Sequence, residues 1–401
     1  MIENNQLIMN KKIVEHRKYC VICGQIAIPI INLPNLPLTD SYAISPVTNP
    51  LMGLDQNLLY CESCGHGQLE SLIAPNILYG TNYCFRTSDS STARKGTEFF
   101  ISVLNEVAPN RNFKCVLDLG CNDLFLLDLL KDRAAHRVGI DPVWTGRENE
   151  RGDKSIELFG MNFEDVDLSQ FPEKPDLIVC RHTLEHIVNP VEVVKSLINI
   201  AAKDAIFIFE VPGFDGLIQR YRFDQVFHQH AQYFSLASFL KMLAVAGGRH
   251  LLHRYNFHDW GAMAVAFTKG AVDESLGVKH WSIQDIADRY GIFQIQMQTA
   301  GKLLKDISNA TIYGYGAAQM LPVIGYHMNT DFRELISIID DDESKDGIGY
   351  WNLPVRVISR KKIGSLDKSI VLITAIDNIK PIINKLLVDR PRQILLPLSI
   401  F

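Results

Sequence analysis

Residues 114–130 read KCVLDLGCNDLFLLDLL, and this stretch decides the fold class of the chain. The pattern predicts an apolar strand that ends near Asp118, a turn at Gly120 and then an amphipathic helix. A second predicted strand, RVGIDPV, ends in the acidic Asp141. Strand, glycine turn, helix, strand and acid in this order open a doubly wound α/β domain that holds a nucleoside-type ligand across its strand ends.

The residues of this loop favour S-adenosylmethionine (SAM) over a dinucleotide. Only one glycine is present, so the G-x-G-x-x-G pattern that seats a pyrophosphate is missing. Asp118 and Asp123 are placed to receive an ammonium or sulfonium group, and Asp141 can accept both ribose hydroxyls. Further strand–helix units follow in IELFGMNFEDV, DLIVCRHTLEHI and AIFIFEVPGF. The predicted SAM-binding residues in the loop and after the second strand are Asp118, Gly120, Cys121, Asn122, Asp123 and Asp141.

Four cysteines near the N-terminus form two CxxC pairs, each followed by glycine. Two such pairs can supply the four thiolates of a closed, structural zinc site, which contributes to folding rather than catalysis. Two unrelated pairs, or redox use of one pair, are the alternatives. The 37 residues between the pairs include LPNLPLTDSYAISPVTNP, which we expect to form a proline-punctuated loop, and we expect the neighbouring His66 to be exposed. The predicted zinc ligands are Cys20, Cys23, Cys61 and Cys64.

Length and composition restrict the class of protein. A chain of 401 residues is long for one hydrophobic core and favours two or three domains. The net charge of -5 argues against a general nucleic-acid binder. The sequence shows no apolar run long enough for a membrane span and no recognisable signal peptide, so we expect a cytoplasmic protein whose cysteines are thiols or metal ligands.

Two histidines stand close together in FHQHAQYFS, residues 227–235. On a strand, His228 and His230 would share one face, whereas on a helix they would point apart. Without an acidic neighbour, the stretch does not favour a metal site, and a buried structural pair or a catalytic residue both fit. His182 and His186 of RHTLEH would lie near one another if that segment were helical.

Taken together, the CxxCG pairs, DLGCND, RHTLEHI, EVPGFDGLI and HQHAQYFS resemble the SAM-dependent sugar C-methyltransferases, which methylate nucleotide-linked keto-deoxysugars. The resemblance covers nearly the whole chain. It implies an N-terminal zinc-binding domain at residues 1–75 and a Rossmann-like class I SAM methyltransferase core at 76–270. Residues 271–401 would form a helical connector and a C-terminal Rossmann-like α/β domain.

The same resemblance implies roles for single residues. His230 would be the catalytic base, His186 its polar partner, and Tyr83 would reach in from the junction with the zinc domain. Arg181 would lie near the adenosine. Gln229 stands where the family commonly has a glutamate, but its amide could still orient a histidine ring.

Two other positions depart from the family pattern. Leu124 replaces a glycine of the SAM loop, and Phe227 replaces a tyrosine. Leu124 is expected simply to start the helix that follows the loop. The phenol lost at Phe227 and the carboxylate lost at Gln229 weaken the expectation that a carbon acid is deprotonated here.

The C-terminal third carries a second glycine turn. HLLHRYNFHDWGAMAVAFTKG predicts an antiparallel strand pair, and residues 282–308 predict a helix. In TIYGYGAAQM, Gly314 and Gly316 precede an acid at Asp340, which is a partial dinucleotide pattern. A Rossmann-like domain without a dinucleotide is the favoured interpretation, although the amides after Gly314 could meet a substrate pyrophosphate.

These observations lead to one expected function. The chain is expected to be a SAM-dependent C-methyltransferase that acts on a nucleotide-activated keto-deoxysugar through an enolate, as a monomer or weak dimer without nucleic-acid or membrane partners. A sugar O-methyltransferase is the nearest alternative. An NAD(P)-dependent sugar oxidoreductase using the Gly314 loop and a non-catalytic zinc-and-SAM binding module are two others.

Overall fold

A computed structural model describes residues 13–39, 42–44, 53–74, 78, 86–167, 171, 173–256, 261–271 and 277–398. In this part of the chain, the strands form three main sheets and one short strand pair. The helices are α1 (Ser91–Val107), α2 (Phe125–Leu129), α3 (Pro190–Ile200), α4 (Phe214–Gln219), α5 (Leu236–Ala246), α6 (Ile283–Asp306), α7 (Leu321–Met328) and α8 (Ile379–Asp389). None of the helices in these ranges combines the length and the apolar character that a bilayer span requires.

The strands divide between the three regions of the chain. Those up to residue 73 are β1 (Ile13–His16), β2 (Ile28–Pro37), β3 (Tyr42–Ala43), β4 (Gly53–Cys61), β5 (His66–Leu69) and β6 (Ser71–Ile73). The central strands are β7 (Phe113–Leu119), β8 (Ala134–Ile140), β9 (Ile156–Phe159), β10 (Leu177–Arg181), β11 (Ile206–Pro212), β12 (Gln232–Tyr233), β13 (Gly248–Asn256) and β14 (Ala262–Lys269). The C-terminal strands are β15 (Thr311–Tyr315), β16 (Ile338–Asp340), β17 (Gly349–Tyr350), β18 (Leu353–Ser359), β19 (Ser369–Ile373) and β20 (Gln393–Leu395).

The central sheet has the predicted doubly wound arrangement. Its order is β13-β14-β11-β10-β7-β8-β9, and the five strands from β11 to β9 run parallel. The predicted antiparallel pair, β13 and β14, closes one edge. Strand β7 is buried on both faces, with Leu117 and Leu119 in one core and Val116 in the other. A parallel sheet covered on both sides needs such continuous apolar strands, which is why the pattern could be recognised in the sequence.

The N-terminal sheet corrects one prediction. Residues 33–37, read as part of a loop, belong to strand β2. The sheet order is β12-β5-β4-β2, so β2 is an edge strand. An edge strand tolerates proline because one side of its backbone has no ladder to complete, and the register shifts twice along the β2–β4 pairing.

The C-terminal sheet is a second doubly wound unit, with the order β20-β19-β15-β16-β18-β17-β3. Strands β15, β16, β18, β19 and β20 run parallel. Two strands cross the predicted domain boundaries, because β3 from the N-terminal region pairs with β17 and β12 from the central region pairs with β5. The three regions are therefore interlocked through their sheets.

Helix α6 fulfils the prediction of a helix over residues 282–308. The hydroxyl of Ser282 caps it by accepting a hydrogen bond from the amide of Asp285. Two glycines within the helix have different surroundings. A Cβ at Gly301 would lie 1.8 Å from the carbonyl oxygen of Met328, whereas a Cβ at Gly291 would have no neighbour within 4 Å. The approach of α6 to the end of α7 therefore depends on Gly301.

We expect Gly301→Ala to lower the free energy of unfolding by at least about 2 kcal/mol, because a backbone carbonyl cannot move aside as a side chain can. Gly291→Ala is the matched control and should be neutral or stabilising by about 0.5–1 kcal/mol, since alanine favours the helix. Chemical denaturation of the two variants checks both values. Equal stability of the two variants would contradict the packing described here.

Candidate active site

The loop after β7 is held close to the turn after β10. Gly120 has a φ of +80°, and its amide donates to the carbonyl oxygen of Ile140 at 2.8 Å. A Cβ at Gly120 would lie 1.9 Å from Oγ1 of Thr183. The glycine therefore serves two needs, a left-handed backbone and room for Thr183. Sequence reasoning assigned this room to the ligand and missed Thr183.

Leu124, which stands in place of a family glycine, keeps a glycine-like backbone. Its φ is +69°, and it precedes the first residue of α2, as predicted. A left-handed conformation costs a non-glycine residue roughly 1–2 kcal/mol. The side chain of Leu124 is fully buried beside Phe100 and Leu127, and this burial offsets the strain. The loop thus keeps its path despite the substitution.

Asp141 fixes the loop from the neighbouring strand. Its Oδ2 accepts from the amide of Asn122 at 2.8 Å, and its Oδ1 accepts from the amide of Val143 at 2.9 Å. Burial raises the pKa of Asp141, while these two hydrogen bonds and the charge of Arg86 oppose the increase. Trp144 Nε1 donates to the carbonyl oxygen of Asn122 at 2.6 Å. The aromatic residue just after DPV was a signal for this contact that sequence reasoning did not use.

The chain that enters α1 lies against the same loop. The amide of Ser88 donates to Oδ2 of Asp123 at 2.8 Å, and the amide of Thr87 donates to Oδ1 of Asn122 at 3.3 Å. Both predicted SAM-binding side chains therefore contact the segment that begins at Arg86. Tyr83, the predicted catalytic tyrosine, lies outside the described residues.

Two other predicted SAM-binding residues lie below the loop. Asp118 is only 2% exposed, and burial, opposed by Arg181 and assisted by Asp141, raises its pKa to about 7. The sulfur of Cys121 faces the sheet, because a Cβ at Gly139 would lie 2.7 Å from it. Because the carboxylate of Asp118 is buried, a bound cation could reach it only inside the protein. Cys121 could contact a ligand through its main chain but not through its thiol.

Arg181 is held in a buried ion pair. Its Nε donates to Oε2 of Glu210 at 2.6 Å, and one guanidinium nitrogen donates to Oγ1 of Thr97 at 2.7 Å. Its guanidinium also stacks over the ring of Phe100. These contacts tie the end of β10 to β11 and α1. They do not favour the predicted contact with adenosine.

The turn after β10 presents a histidine to the stretch 227–235. Residues Leu184–His186 form a single 3₁₀ turn rather than the α-helix considered from the sequence, and His182 precedes it with a φ of +47°. His186 Nδ1 lies 2.8 Å from the carbonyl oxygen of Gln229. Because a carbonyl can only accept, Nδ1 is the donor, and in the neutral ring Nε2 carries the lone pair.

His230 lies beside this ring and inside the protein. The His186 and His230 ring centroids are 5.0 Å apart in an edge-on arrangement, and Phe227 packs 4.1 Å from His230. His230 is 7% exposed. Burial, together with His186 and His182, lowers the pKa of His230 to about 3, while Glu185 opposes the decrease. The structure thus brings together the two histidines that the sequence singled out.

His228 has a different environment. Its Nε2 donates to the carbonyl oxygen of Leu36 at 2.9 Å, and its Nδ1 lies 3.4 Å from Nε2 of Gln56. Burial lowers its pKa to about 4. A neutral ring with both nitrogens engaged by the N-terminal sheet fits the structural role predicted for His228.

Gln229 orients a histidine in a different way from the one predicted. Its side-chain Oε1 accepts from the hydroxyl of Thr39 at 2.6 Å. The backbone carbonyl of Gln229, rather than its amide side chain, positions His186. Since every residue type has this carbonyl, the loss of a glutamate at position 229 does not affect it.

A carboxylate does stand near the histidines, on a residue that sequence reasoning missed. Glu185 is 1% exposed, and its ligand atom lies within 4.8 Å of those of His186 and His230. Within the part of the chain that the structure describes, neither of its oxygens has a hydrogen-bond donor within 3.5 Å, and His182 Nδ1 lies 3.6 Å from Oε1. The acid directly before His186 was the available signal, but only the fold shows that it points towards His230.

The four N-terminal cysteines converge. Cys20 and Cys64 place their sulfurs 3.6 Å apart, and Cys23 and Cys61 place theirs 3.4 Å apart. A tetrahedral zinc with sulfurs at about 2.3 Å has sulfur–sulfur edges of about 3.8 Å, so the set fits this ion. Each pair closes the same turn, in which the amide of the following glycine donates to the carbonyl of the first cysteine at 2.8 Å.

His66, which was expected to be exposed, is fully buried. It is the first residue of β5, and its Nε2 lies 3.1 Å from Oε1 of Gln232 on β12. Strand pairing between β5 and β12 explains the difference, because β12 comes from a distant part of the sequence. His66 therefore lies beneath the cysteines as part of the sheet.

The glycine loop of the C-terminal domain forms hydrogen bonds with other groups of the same domain. Gly316 has a φ of +99°, and a Cβ there would lie 2.3 Å from Cβ of Ala375. Asp340 Oδ2 accepts from the amide of Ala317 at 2.7 Å. The amides of Gly316 and Ala318 donate to the carbonyls of Ile339 and Gly316. The amides expected to meet a pyrophosphate thus have internal acceptors.

A cleft of about 680 Å³ lies away from these residues, between α6, α7 and β2. Tyr290, Lys302 and Tyr326 are among its lining residues. It contains none of the predicted SAM-binding, catalytic or zinc-binding residues. The candidate active site is therefore defined by its convergent side chains rather than by this cavity.

Residues 92–249 match the family model described as a methyltransferase domain. The match includes the glycine loop, Asp141 and both histidine segments. Residues 92–249 form a methyltransferase domain. The central sheet, to which residues 92–249 contribute most strands, has an antiparallel pair at one edge of a parallel sheet, as in the Rossmann-like class I methyltransferase core.

C-methyltransferase NovU of Streptomyces niveus is 24% identical to the chain over 249 residues, which cover 59% of this chain and 59% of that protein. The chain thus spans less than two thirds of the length of this relative. A solved SAM-dependent methyltransferase from Clostridium acetobutylicum ATCC 824 is 14% identical, with a TM-score of 0.36, over 46% of this chain and 94% of its own. N-methyltransferase NodS from Bradyrhizobium japonicum WM9 in complex with S-adenosyl-L-homocysteine is also 14% identical, with a TM-score of 0.36. The match covers 47% of this chain and 93% of NodS.

We expect Asp141→Ala to weaken SAM binding by about 1.5–3 kcal/mol, because the variant removes a buried acceptor from the loop and from the ribose. Asp340→Ala is the matched control, since Asp340 occupies the corresponding place in the C-terminal domain and should leave SAM affinity unchanged. Calorimetric titration with SAM measures both. Unchanged affinity in Asp141→Ala would place the cofactor elsewhere.

Proposed function

We propose that the chain is a SAM-dependent C-methyltransferase that acts on a nucleotide-activated keto-deoxysugar. The observation that carries the proposal is the contact between His230 and His186, which lies on the turn that Thr183 packs against Gly120 of the predicted SAM-binding loop. A base next to a methyl donor is what carbon methylation needs, because a sugar carbon becomes nucleophilic only after losing a proton. The relative NovU is named a C-methyltransferase, which supports carbon as the acceptor.

His230 is the proposed base. Its lowered pKa keeps the ring neutral at physiological pH, so that it can accept the proton from the carbon next to the substrate carbonyl. The ring of His186 lies beside that of His230, and the carbonyl of Gln229 fixes which of its nitrogens carries the lone pair. When bound, SAM supplies the electrophilic methyl group. The protein's contribution is to hold the base and the acceptor carbon close to that group.

The nucleotide part of the substrate is proposed to lie between the central and C-terminal domains. Asp377, in the loop after β19, accepts from Arg222 at 2.6 Å, and Asn378 accepts from the hydroxyl of Thr92 at 3.0 Å. These contacts hold a strand-end loop of the C-terminal sheet against the methyltransferase domain. Strand-end crevices of this kind are the usual ligand positions of open α/β sheets.

The C-terminal loop weighs against the oxidoreductase alternative. Asp340 accepts from the amide of Ala317 just as Asp141 accepts from the amide of Asn122, so this hydrogen bond does not distinguish the two loops. Tyr42 and Tyr350 add hydrogen bonds to the carbonyls of Ala317 and Ala318. A dinucleotide would have to displace these groups. O-methylation of a sugar hydroxyl differs from C-methylation in needing no enolate, and this difference provides the test.

We expect the parent protein to exchange the α-hydrogen of a nucleotide-linked keto-deoxysugar with solvent, and His230→Ala to lose this exchange. Methyl transfer by His230→Ala should fall by about 10²–10⁴-fold, because a general base contributes roughly that factor. Deuterium loss from labelled substrate, followed by mass spectrometry, measures exchange. SAM affinity should remain unchanged.

His228→Asn is the matched control for the loss of an imidazole from the same segment. It should reduce stability rather than the rate of exchange, since His228 bonds Leu36 of the N-terminal sheet. Methylation without any α-hydrogen exchange would favour O-methylation. Parental rates in His230→Ala would remove His230 from the mechanism.

We further propose that Cys20, Cys23, Cys61 and Cys64 hold one structural zinc ion. The fit of the sulfur–sulfur distances to a tetrahedral site supports this proposal. Cys20, Cys61 and Cys64 are buried, and four thiolates leave no open position for a water or substrate. The ion would join the two glycine turns.

We expect purified protein to contain one zinc per chain, and the double variant Cys61→Ser/Cys64→Ser to lose it. Elemental analysis and thermal unfolding measure the two consequences, since loss of a structural zinc lowers stability. Cys115→Ser is the control, because Cys115 lies in β7 away from the four cysteines and should retain the metal. Retention of zinc in the double variant would contradict the assignment.

A further inference from the structure

Glu185 is a buried carboxylate next to the proposed base. It is 1% exposed in the 3₁₀ turn after β10, and among the described residues its buried oxygens have no donor within 3.5 Å, with His182 Nδ1 just beyond at 3.6 Å. Burying a carboxylate without compensation is costly, so its retention at this place calls for a nearby positive charge or proton donor. The neighbouring imidazoles are the groups that can supply one.

Three imidazoles surround Glu185. The ligand atoms of Glu185, His186 and His230 all lie within 4.8 Å of one another, and His182 Nδ1 lies 3.6 Å from Oε1 of Glu185. His182 also approaches Glu210, whose Oε2 is 3.8 Å from its Nε2. A proton arriving on any of these rings therefore meets an anion that water does not screen.

We propose that Glu185 is the positioning carboxylate of the catalytic pair, stabilising His230 when that ring becomes an imidazolium. This inference rests on the proposed function of His230 as the base. Glu185 acts through His230 rather than on the substrate. It thereby supplies, from the turn after β10, the negative charge that Gln229 lacks.

The chemistry follows from charge balance. When the proton leaves the substrate carbon for His230, the carbon–hydrogen electron pair stays on the enolate and the ring becomes positive. Inside the protein a lone imidazolium is strongly disfavoured, and a nearby carboxylate offsets this cost, as in histidine–aspartate pairs of hydrolases. The enolate carbon takes the methyl group as the carbonyl re-forms, and the ring releases its proton to solvent.

The electrostatics of both groups agree with this assignment. Burial, His186 and His182 all lower the pKa of His230, and Glu185 opposes them. For Glu185, burial is the largest influence and acts to raise the pKa, but His182, His186 and His230 together outweigh it. Glu185 is therefore held ionised, and it also raises the pKa of the buried Cys180 thiol.

The test replaces the carboxylate by an isosteric amide. Glu185→Gln should lower kcat by about 10–100-fold with KM and SAM affinity near parental values, because only the charged intermediate loses stabilisation. Without the anion, the pKa of His230 should fall further. The acid limb of the kcat/KM profile should therefore move to lower pH, even as the plateau falls.

Two variants separate electrostatics from folding. Glu185→Asp keeps the charge and should recover part of the lost rate and of the pH shift. Asp176→Asn removes another buried carboxylate, which bonds the amides of Lys114 and Cys115. It should reduce stability without altering the pH profile, because Asp176 is not among the groups that act on His230.

A titration of the histidine rings by NMR gives a readout that does not need turnover. In protein labelled at histidine, with resonances assigned through His186 and His230 variants, Glu185→Gln should lower the His230 pKa relative to the parent. An unchanged His230 titration and pH profile would overturn the proposal. A second stoichiometric divalent metal, lost in Glu185→Gln while the zinc remains, would also overturn it, since the three residues would then be metal ligands.

The two hypotheses fail in different ways. If the parent protein exchanges no α-hydrogen and methylates no keto sugar, the proposed function is wrong, while the NMR titration still decides whether Glu185 acts on His230. If the parent methylates its substrate but Glu185→Gln is equally active at every pH, only the role of Glu185 is wrong.

Discussion

The contact between Gly120 and Thr183 is the constraint on which the candidate site depends. A Cβ at position 120 would lie 1.9 Å from the Thr183 hydroxyl, so the predicted SAM-binding loop and the turn after β10 can meet only if this residue is glycine. The turn that follows Thr183 carries Glu185 and His186, and His186 is bound to the main chain of Gln229. One missing side chain thus couples the cofactor loop to both histidine segments.

Burial then determines the chemistry of the groups brought together. His228 and His230 are both buried and both have lowered pKa values, but their partners differ. His228 faces a carbonyl and an amide, which engage both ring nitrogens and leave the ring neutral. His230 faces Glu185 and His186, so a proton on its ring has a counter-charge available. The same residue type therefore has a structural environment at position 228 and an environment that fits the proposed base at position 230.

Sequence reasoning predicted those features that depend on local pattern. The apolar strands β7, β8, β10 and β11, the antiparallel pair β13–β14 and the long helix α6 all follow from periodicity, because parallel strands are continuously apolar and helices repeat every 3.6 residues. Features that depend on distant residues were missed or misread. His66 is buried by β12, residues 33–37 form an edge strand against β4, and Gln229 bonds Thr39. Glu185 was overlooked because it matters only through its closeness to His230 in the folded protein. The two residues are 45 positions apart in the sequence.

Strand pairing between the three regions of the chain fixes the distances between the residues of the candidate site. Strand β3 joins the C-terminal sheet and β12 joins the N-terminal sheet, so the segment that contains His228 and His230 is anchored just before β12. Arg222, five residues before Phe227, is bound on both sides by Asp224 and by Asp377 of the C-terminal domain. The buried ion pairs limit how far the C-terminal domain can move without changing the position of the proposed base. A ligand bound between these domains would therefore contact the segment that carries the proposed base, so that the proposed substrate site and the position of His230 depend on the same ion pairs.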